Sequence, residues 1–510
     1  MTKHQVSGWR FLLRRIEHAL VRRDTSMRDD PGRGRSTALS IGFALACVVI
    51  AGAAVLAFFK PAKTMGNARI VADKETGALY VRVDDRLHPA LNLTSARLII
   101  GSPDKPVQVS RAELAKFPRG PWVGISGAPG HIVDGADRDS SWAVCDTTPR
   151  GGAAINPRTG LPTTLGPEAP STVIGAKLRV DGDATRMLGP DEARLVRAEG
   201  TTWLIYADTE RGVVRAAIDL ASAPVLMALG IATDAPVLPA SRGLIDAIPE
   251  VPPIRVPELP GLGEMITFPT GLTVPVGSIL TVSVPDRDAS YYLVSNSGVV
   301  QVSSVLAGMI RLGDVGEKTQ TGWVGPGLVA ATLRPGGWPG TANFPTRPVR
   351  ILDPSSLPVT CLHWARSGSE QQAVTTLVVG RRLPLSTEEQ SRTVSLVTAA
   401  ASRGRTADSA YLPRDTGQFV QVTGMDPASP LRESLFWISD SGVRYGIEAG
   451  DRASDLEQTL RALALQSPVP APWSIVSLFA VGPTLSQRDA RIQHDGLPPN
   501  LTATGLGGAR

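Results

Sequence analysis

Residues 38–59 read ALSIGFALACVVIAGAAVLAFF, 22 residues without a charge, set between Arg33 and Arg35 on one side and Lys60 on the other. A chain carrying such a run has few places to put it. At 1.5 Å of rise per residue, a helix of this length crosses the roughly 30 Å hydrocarbon core of a bilayer. A cleaved signal peptide has a short basic lead, an apolar core of about 7–15 residues and a small-x-small cleavage site. Here 37 residues precede a longer core, and FFKPAKTM offers no such site. Twenty-two apolar residues with no polar face are too many for a helix buried in a soluble core. The sequence therefore predicts one uncleaved membrane-spanning helix.

Charge orients it. Residues 1–37 carry nine basic residues (Lys3, Arg10, Arg14, Arg15, Arg22, Arg23, Arg28, Arg33, Arg35), which the positive-inside rule places in the cytoplasm. Everything from Lys60 onward is then outside, giving a single-pass membrane protein with its bulk exported. The net charge of +5 belongs to this membrane-proximal part. Residues 1–60 hold ten Lys/Arg against four Asp/Glu, and the remaining 450 hold 42 against 43. The exported part has no electrostatic footprint for nucleic acid, and the basic excess suits anionic headgroups.

Before the span, Trp9, Leu12, Leu13, Ile16 and Leu20 recur at helical spacing, with Arg14 and Arg15 among the opposing basic residues. A basic amphipathic helix of this kind lies on a membrane surface, or inserts Trp9, Phe11 and Leu13 into a partner protein; both readings stand. PGRGR at 31–35 is expected to break it before the span begins. Of three cysteines, Cys47 falls in the apolar run as a small filler. Cys145 and Cys361 lie outside, where disulfides persist, and an even pair there is expected to be bridged. On the chain-entropy picture so long a loop allows up to about 5 kcal/mol.

The exported region repeats itself. LYVRVDDRLHPALNL from Leu79, WLIYADTERGVVRAAIDL from Trp203, YYLVSNSGVVQVSS from Tyr291 and LFWISDSGVRYGIE from Leu435 each read as a hairpin, with Asp, Asn and Gly at the turn. Each is followed by a helix-like run (SARLIIG, APVLMALGI, VLAGMIRLG, LEQTLRALAL) and a second short apolar run leading into proline (ELAKFPRGP, GLIDAIPEVPP, LVAATLRPGG, SIVSLFAVGP). This predicts an α+β exported region of four small ββαα-type repeats. Cys145 lies 65 residues after Tyr80 and Cys361 lies 69 after Tyr292, each in a segment between two modules (SWAVCDT, PVTCLHW). Two equivalent middle segments would pair as a β-rich, pseudo-two-fold central domain. Their cysteines would meet at its axis, with Cα atoms about 4.4–6.8 Å apart. The expected division is as follows: cytoplasmic segment 1–37, span 38–59, modules at 78–130, 201–262, 288–354 and 433–495, central halves 131–200 and 355–432, a linker at 263–287 after the Pro-rich run 248–265, and a disordered tail at 496–510.

The wording of these segments resembles the EccB family, the single-span membrane component of mycobacterial and actinobacterial type VII (ESX) secretion systems. The stretches that carry it are VSGWRFLLRRIE, GALYVRVDDRLHPALNLTSARLI, SSWAVCDT, VTCLHW, SDSGVRYGI and PAPWSIVSLFAVGPTLSQRDARIQHD, spread over residues 4 to 495. The resemblance implies four periplasmic repeats around a central domain and a disulfide mapping onto Cys145 and Cys361. It also implies a membrane complex with EccC-, EccD- and EccE-type subunits. Self-association and contact with cell-wall polymer are further expectations. FLLRRIEHAL and IRLGDVGEKTQ lean towards the ESX-4-like type.

Some members of that family carry the name ATPase, a chemistry that calls for a phosphate-binding loop. G-x-x-x-x-G-K-[ST] does not occur; GDVGEKT at 313–319 has the glycines and Lys-Thr in the wrong register. G-x-S-x-G is absent, and GISG at 124–127 falls short of it. His4, His18, His88, His131, His363 and His494 are scattered without metal-ligand spacing. The reading is a structural assembly subunit with no catalytic, cofactor or metal residue. A nucleoside triphosphatase using ATP is the alternative.

Overall fold

The computed structural model describes residues 3–23, 31–58, 65–135, 138–148, 154–155, 162–163, 169–271, 273–313, 321–334, 338, 344–402, 404–448 and 453–497. The tail at 498–510 and nearly all of GDVGEKT lie outside the described residues.

Two helices lead the chain, Lys3–Arg22 and Pro31–Phe58. The second begins at Pro31 and runs straight through PGRGR, so that motif does not break a helix as expected. Proline is compatible with the first helical turn, whose N–H groups have no intrahelical acceptor. Every described side chain from Thr37 to Ala53 is exposed. Among the described residues no helix is long and apolar enough to cross a membrane; the apolar run 38–59 falls partly outside them.

Four units then share one topology. In unit 1 the strands are Ile70–Asp73, Leu79–Val83, Arg86–Pro89 and Val107–Val109; in unit 2, Glu192–Ala198, Thr201–Asp208, Gly212–Ile218 and Leu238–Pro239. Unit 3 has Ile279–Val282, Ser290–Ser295, Gly298–Val302 and Thr321–Trp323; unit 4 has Gln418–Thr423, Leu435–Ile438, Val443–Ile447 and Val469–Pro472. In each, the first three strands form an antiparallel meander and the fourth returns parallel to the first, so the order is third–second–first–fourth. A last segment pairs parallel with the third strand: Glu250–Ile254 in unit 2, Ala480–Val481 in unit 4, and single bridges at Arg119 and Leu333 in units 1 and 3.

The hairpin in each unit is the one the sequence predicts. Asp84 at a φ of 52° makes the two-residue turn of unit 1, and Gly442 at 77° closes that of unit 4. The helix-like runs become Leu93–Ile100, Ala223–Leu229, Ser304–Leu312 and Ala453–Leu463. Asn92 and Ser303 cap two of them by accepting the N–H of Ser95 and Leu306. What the ββαα pattern misses is the first strand, which precedes the hairpin in every unit, and the two short returning strands. The first strands sit inside the sheet and are buried along nearly their whole length, so they show no period-two alternation. For the same reason the stretch at 263–287 is not a plain linker. It carries the ribbon Met265–Thr267 with Thr273–Pro275 and the first strand of unit 3.

Between the units lies a seven-stranded sheet whose middle is the antiparallel pair Ser140–Thr147 and Val359–Arg366, with Cys145 opposite Cys361 and Trp142 opposite Trp364. Ser171–Ile174 flanks the former and Val374–Gly380 the latter, both antiparallel. The next strands cross over. Thr185–Met187 from the first half pairs with Val374–Gly380 of the second, and Ser409–Tyr411 from the second pairs with Ser171–Ile174 of the first. One of these outer pairings is antiparallel and the other parallel, so the two-fold order holds for the inner four strands and fails outside them.

The cores join units in pairs. Units 2 and 3 share a core through Leu226, Leu229, Val305, Leu306 and Ile310. Their helices approach closely at Gly308, where an added Cβ would stand 3.1 Å from that of Ala228. Units 1 and 4 share another, with Leu98, Ile99, Phe419, Trp437 and Leu463, and Gln493–His494 pairs with Trp122–Val123. One face of the central sheet, bearing Trp142 and Trp364, packs on helices Arg242–Ala247 of unit 2 and Trp473–Val476 of unit 4.

Candidate functional site: the bridged centre and the exposed N-terminal helices

The disulfide Cys145–Cys361 is present, with both cysteines fully buried. Its Cα atoms are 3.9 Å apart, closer than the expected range. The reason is register: the two residues face each other directly on adjacent antiparallel strands, where narrow pairs bring Cα atoms to about 4.5 Å. It sits on the second face of the sheet, among Ala143, Ile174, Val359, Val378 and Tyr411.

His363 lies two residues on, beside the bridge. Ser141 Oγ donates to Ala176 O at 2.9 Å, so it accepts from His363 Nε2–H at 3.0 Å, while Thr376 Oγ1 lies 3.4 Å from Nδ1. Burial pushes the His363 imidazole down to about 4, which holds it neutral. Among the described residues its ring nitrogens meet the hydroxyls of Ser141 and Thr376 and no carboxylate. His88 Nδ1 contacts Pro121 O at 3.0 Å and His494 Nε2 contacts Gly124 O at 2.8 Å, both as fasteners of unit 1. Among the described residues no group of three His, Cys, Asp or Glu is placed to hold a metal.

Sequence reasoning passed over the charged residues that tie the units to the centre. Asp146, buried on the strand of Cys145, accepts both the N–H and the hydroxyl of Ser241 at 2.6 Å, and Ser241 in turn caps the second helix of unit 2. Arg194 is fully buried and donates to Leu352 O at 3.2 Å and to Leu357 O, fixing the chain where it leaves unit 3. Burial pushes its guanidinium down to about 10. Burial alone would raise the Glu192 carboxyl, but Arg186 at 2.6 Å, the Gly189 N–H and Arg350 outweigh it and hold it below the ordinary glutamate value. The only signal for these in the sequence is a charge inside a strand otherwise apolar, as in EARLVRA.

On the N-terminal helix, Trp9, Leu12, Leu13 and Ile16 are exposed, Trp9 to 64%, and Phe11 is half-buried. Arg14 and Arg15 are exposed on the same helix. The helix brings the predicted residues onto one element; it does not bring them to the bridged centre.

Four like-built units gathered by a cross-linked sheet, behind two N-terminal helices with exposed apolar side chains, define a modular scaffold. Comparison gives the particular family. The model of the type VII secretion system ESX-1 family, transport TM domain B, matches residues 1–499, and the chain belongs to that family. It is 40% identical over 516 residues to the ESX-3 secretion system ATPase EccB3 of Mycolicibacterium smegmatis, covering 100% of this chain and 94% of the relative. It is 35% identical over 519 residues to the ESX-1 secretion system ATPase EccB1 of Mycobacterium tuberculosis, covering 100% and 98%. Among solved structures, a chain of an intact ESX-5 inner membrane complex superposes with a TM-score of 0.74 at 34% identity, covering 99% of this chain and 98% of that one. The EccB3 dimer of the ESX-3 core complex gives 0.69 at 37%, covering 83% and 100%.

Proposed function

We propose that this chain is the structural assembly subunit of a type VII secretion complex in the inner membrane, anchored by one span and holding its complex through a periplasmic scaffold. The observation that carries the reading is the likeness, over nearly the whole chain, to a chain within the ESX-5 inner membrane complex. The span is residues 38–59, supported by the charge-free stretch from Thr37 to Ala53 of the second helix, whose side chains are all exposed, a state that is costly in water and favourable in lipid. Residues 1–37 are cytoplasmic, where Trp9, Phe11, Leu12, Leu13, Ile16, Arg14 and Arg15 dock to membrane or partner. The exported part divides as the sequence suggests, with each module extended backwards to include its first strand. Its partners are EccC-, EccD- and EccE-type subunits, further copies of itself through the exported units, and cell-wall polymer. The ESX-4-like type rests on FLLRRIEHAL and IRLGDVGEKTQ alone. No cofactor is assigned. ATP enters only under the alternative reading, which the names of the relatives support.

The test is a periplasm-dependent phosphatase fused after Arg510 in the full chain, with affinity capture of the complex. Phosphatase activity with co-capture of the other membrane subunits is expected. Activity of a cytoplasm-only reporter at the same site, or capture of the chain alone, refutes the anchor or the assembly role respectively.

A further inference from the structure

Where unit 2, unit 4 and the turn at 404–406 meet, an open cleft of about 630 Å³ is lined by Arg242, Arg405, Arg444, Asp246, Trp473 and Val481, with Thr406 and Ser474 between them. Its charges are unevenly matched. Arg242 is engaged by Asp246 at 3.2 Å and Glu199 at 3.4 Å. Among the described residues neither Arg405 nor Arg444 has a carboxylate within salt-bridge reach. Arg405 Nε is turned onto Ser402 O of its own turn at 3.2 Å.

Arg444 is held more firmly. Its Nε donates to Phe479 O at 3.3 Å, and its guanidinium lies 4.9 Å from the ring centre of Trp473 and 5.6 Å from that of Phe436, rings that stack on each other at 5.7 Å. These contacts fix the side chain without neutralising it. A half-buried guanidinium gains from the rings, yet its desolvated charge is fully compensated only when an anion meets it. Trp473 and Val481 on the rim remain 43% and 69% exposed.

We propose that this cleft binds a phosphate monoester: Arg405 and Arg444 take the dianionic phosphate, and Trp473 and Val481 take the organic group it carries. Guanidinium forks match phosphate oxygens in pairs, and a tetrahedral dianion can accept from two arginines approaching from different elements, which a single carboxylate serves less well. A soluble ester and the headgroup of a lipid share this chemistry. Because the lining comes from two units and the central segment, the bound ester would stiffen their junction.

The experiment is calorimetric titration of the full chain in neutral detergent with phenyl phosphate. Arg405→Ala, Trp473→Ala and Arg444→Lys are each expected to weaken binding at least tenfold while a single cooperative thermal melt is retained, and Arg488→Ala, outside the cleft, to leave binding unaltered. Arg444→Lys keeps the charge but loses the fork, so the result does not depend on a variant that fails to fold. Dihexanoyl phosphatidic acid binding tenfold more tightly than phenyl phosphate would assign the lipid source, and the reverse the soluble one. No heat of binding, an affinity indifferent to Arg405→Ala and Arg444→Lys, or benzoate bound as tightly as phenyl phosphate overturns the proposal.

Discussion

His363 makes the central sheet sensitive to acid in a way that can be measured. In the unfolded chain an imidazole takes up its proton near pH 6.5, but in the sheet burial holds it neutral down to about 4. Between those values the unfolded chain binds more protons than the folded one, so stability falls as the pH drops. The contribution is fully present above pH 6.5 and is lost as the pH falls to about 4. At 1.36 kcal/mol per unit the whole loss is about 3 kcal/mol, most of it by pH 4.5. Urea melts of the wild type and His363→Gln from pH 7.5 to 4 isolate it, because the other titrating groups are common to both. The gap between the two proteins should narrow, then invert, by about 2.5 kcal/mol between pH 7.5 and 4.5. Curves that stay parallel over that range, or an imidazole proton resonance in the folded protein that titrates near 6.5, would refute the argument.

Three further outcomes are expected. Non-reducing peptide mapping should recover the Cys145 and Cys361 peptides linked, while Cys145→Ala with Cys361→Ala should lower stability by up to about 5 kcal/mol yet leave the sheet paired by circular dichroism. Replacing Trp9, Leu13 and Ile16 with Asp should release the complex's other subunits on detergent extraction without shifting the melting of the exported part. Undiminished co-purification would leave that helix with lipid contacts only. Any ATP turnover by the purified chain should survive Lys318→Ala with Thr319→Ala; its loss would sink the non-enzyme reading.

What the sequence makes legible is whatever has a local cause. The hairpin turns are written in Asp84 and Gly442 because a positive φ selects those residues, and the helices after them in runs such as VLAGMIRL. The first strand of each unit is invisible because IVAD and ILTV are buried on both faces and share their composition with any apolar run. The bridge is readable from an even cysteine pair, but its register is not, since Cys145 finds Cys361 across 216 residues. Asp146, Arg194 and Glu192 carry no local mark of what they hold. Their partners come from elements far away in the chain, and no spacing rule connects Arg194 with the carbonyls of Leu352 and Leu357.

The crossed outer strands of the central sheet set an order of events in the making of the protein. While only the first half of the chain has been made, Ser140–Thr147 and Ser171–Ile174 each offer an open edge, and Thr185–Met187 has no neighbour, because every strand they pair with next arrives after residue 358. Open edges recruit the wrong strands, and pairings this distant in sequence form slowly. The nascent molecule is therefore most vulnerable between completion of unit 2 and arrival of Val359–Arg366. A partner or chaperone that shields the first half during that interval would act on yield rather than on the stability of the finished protein.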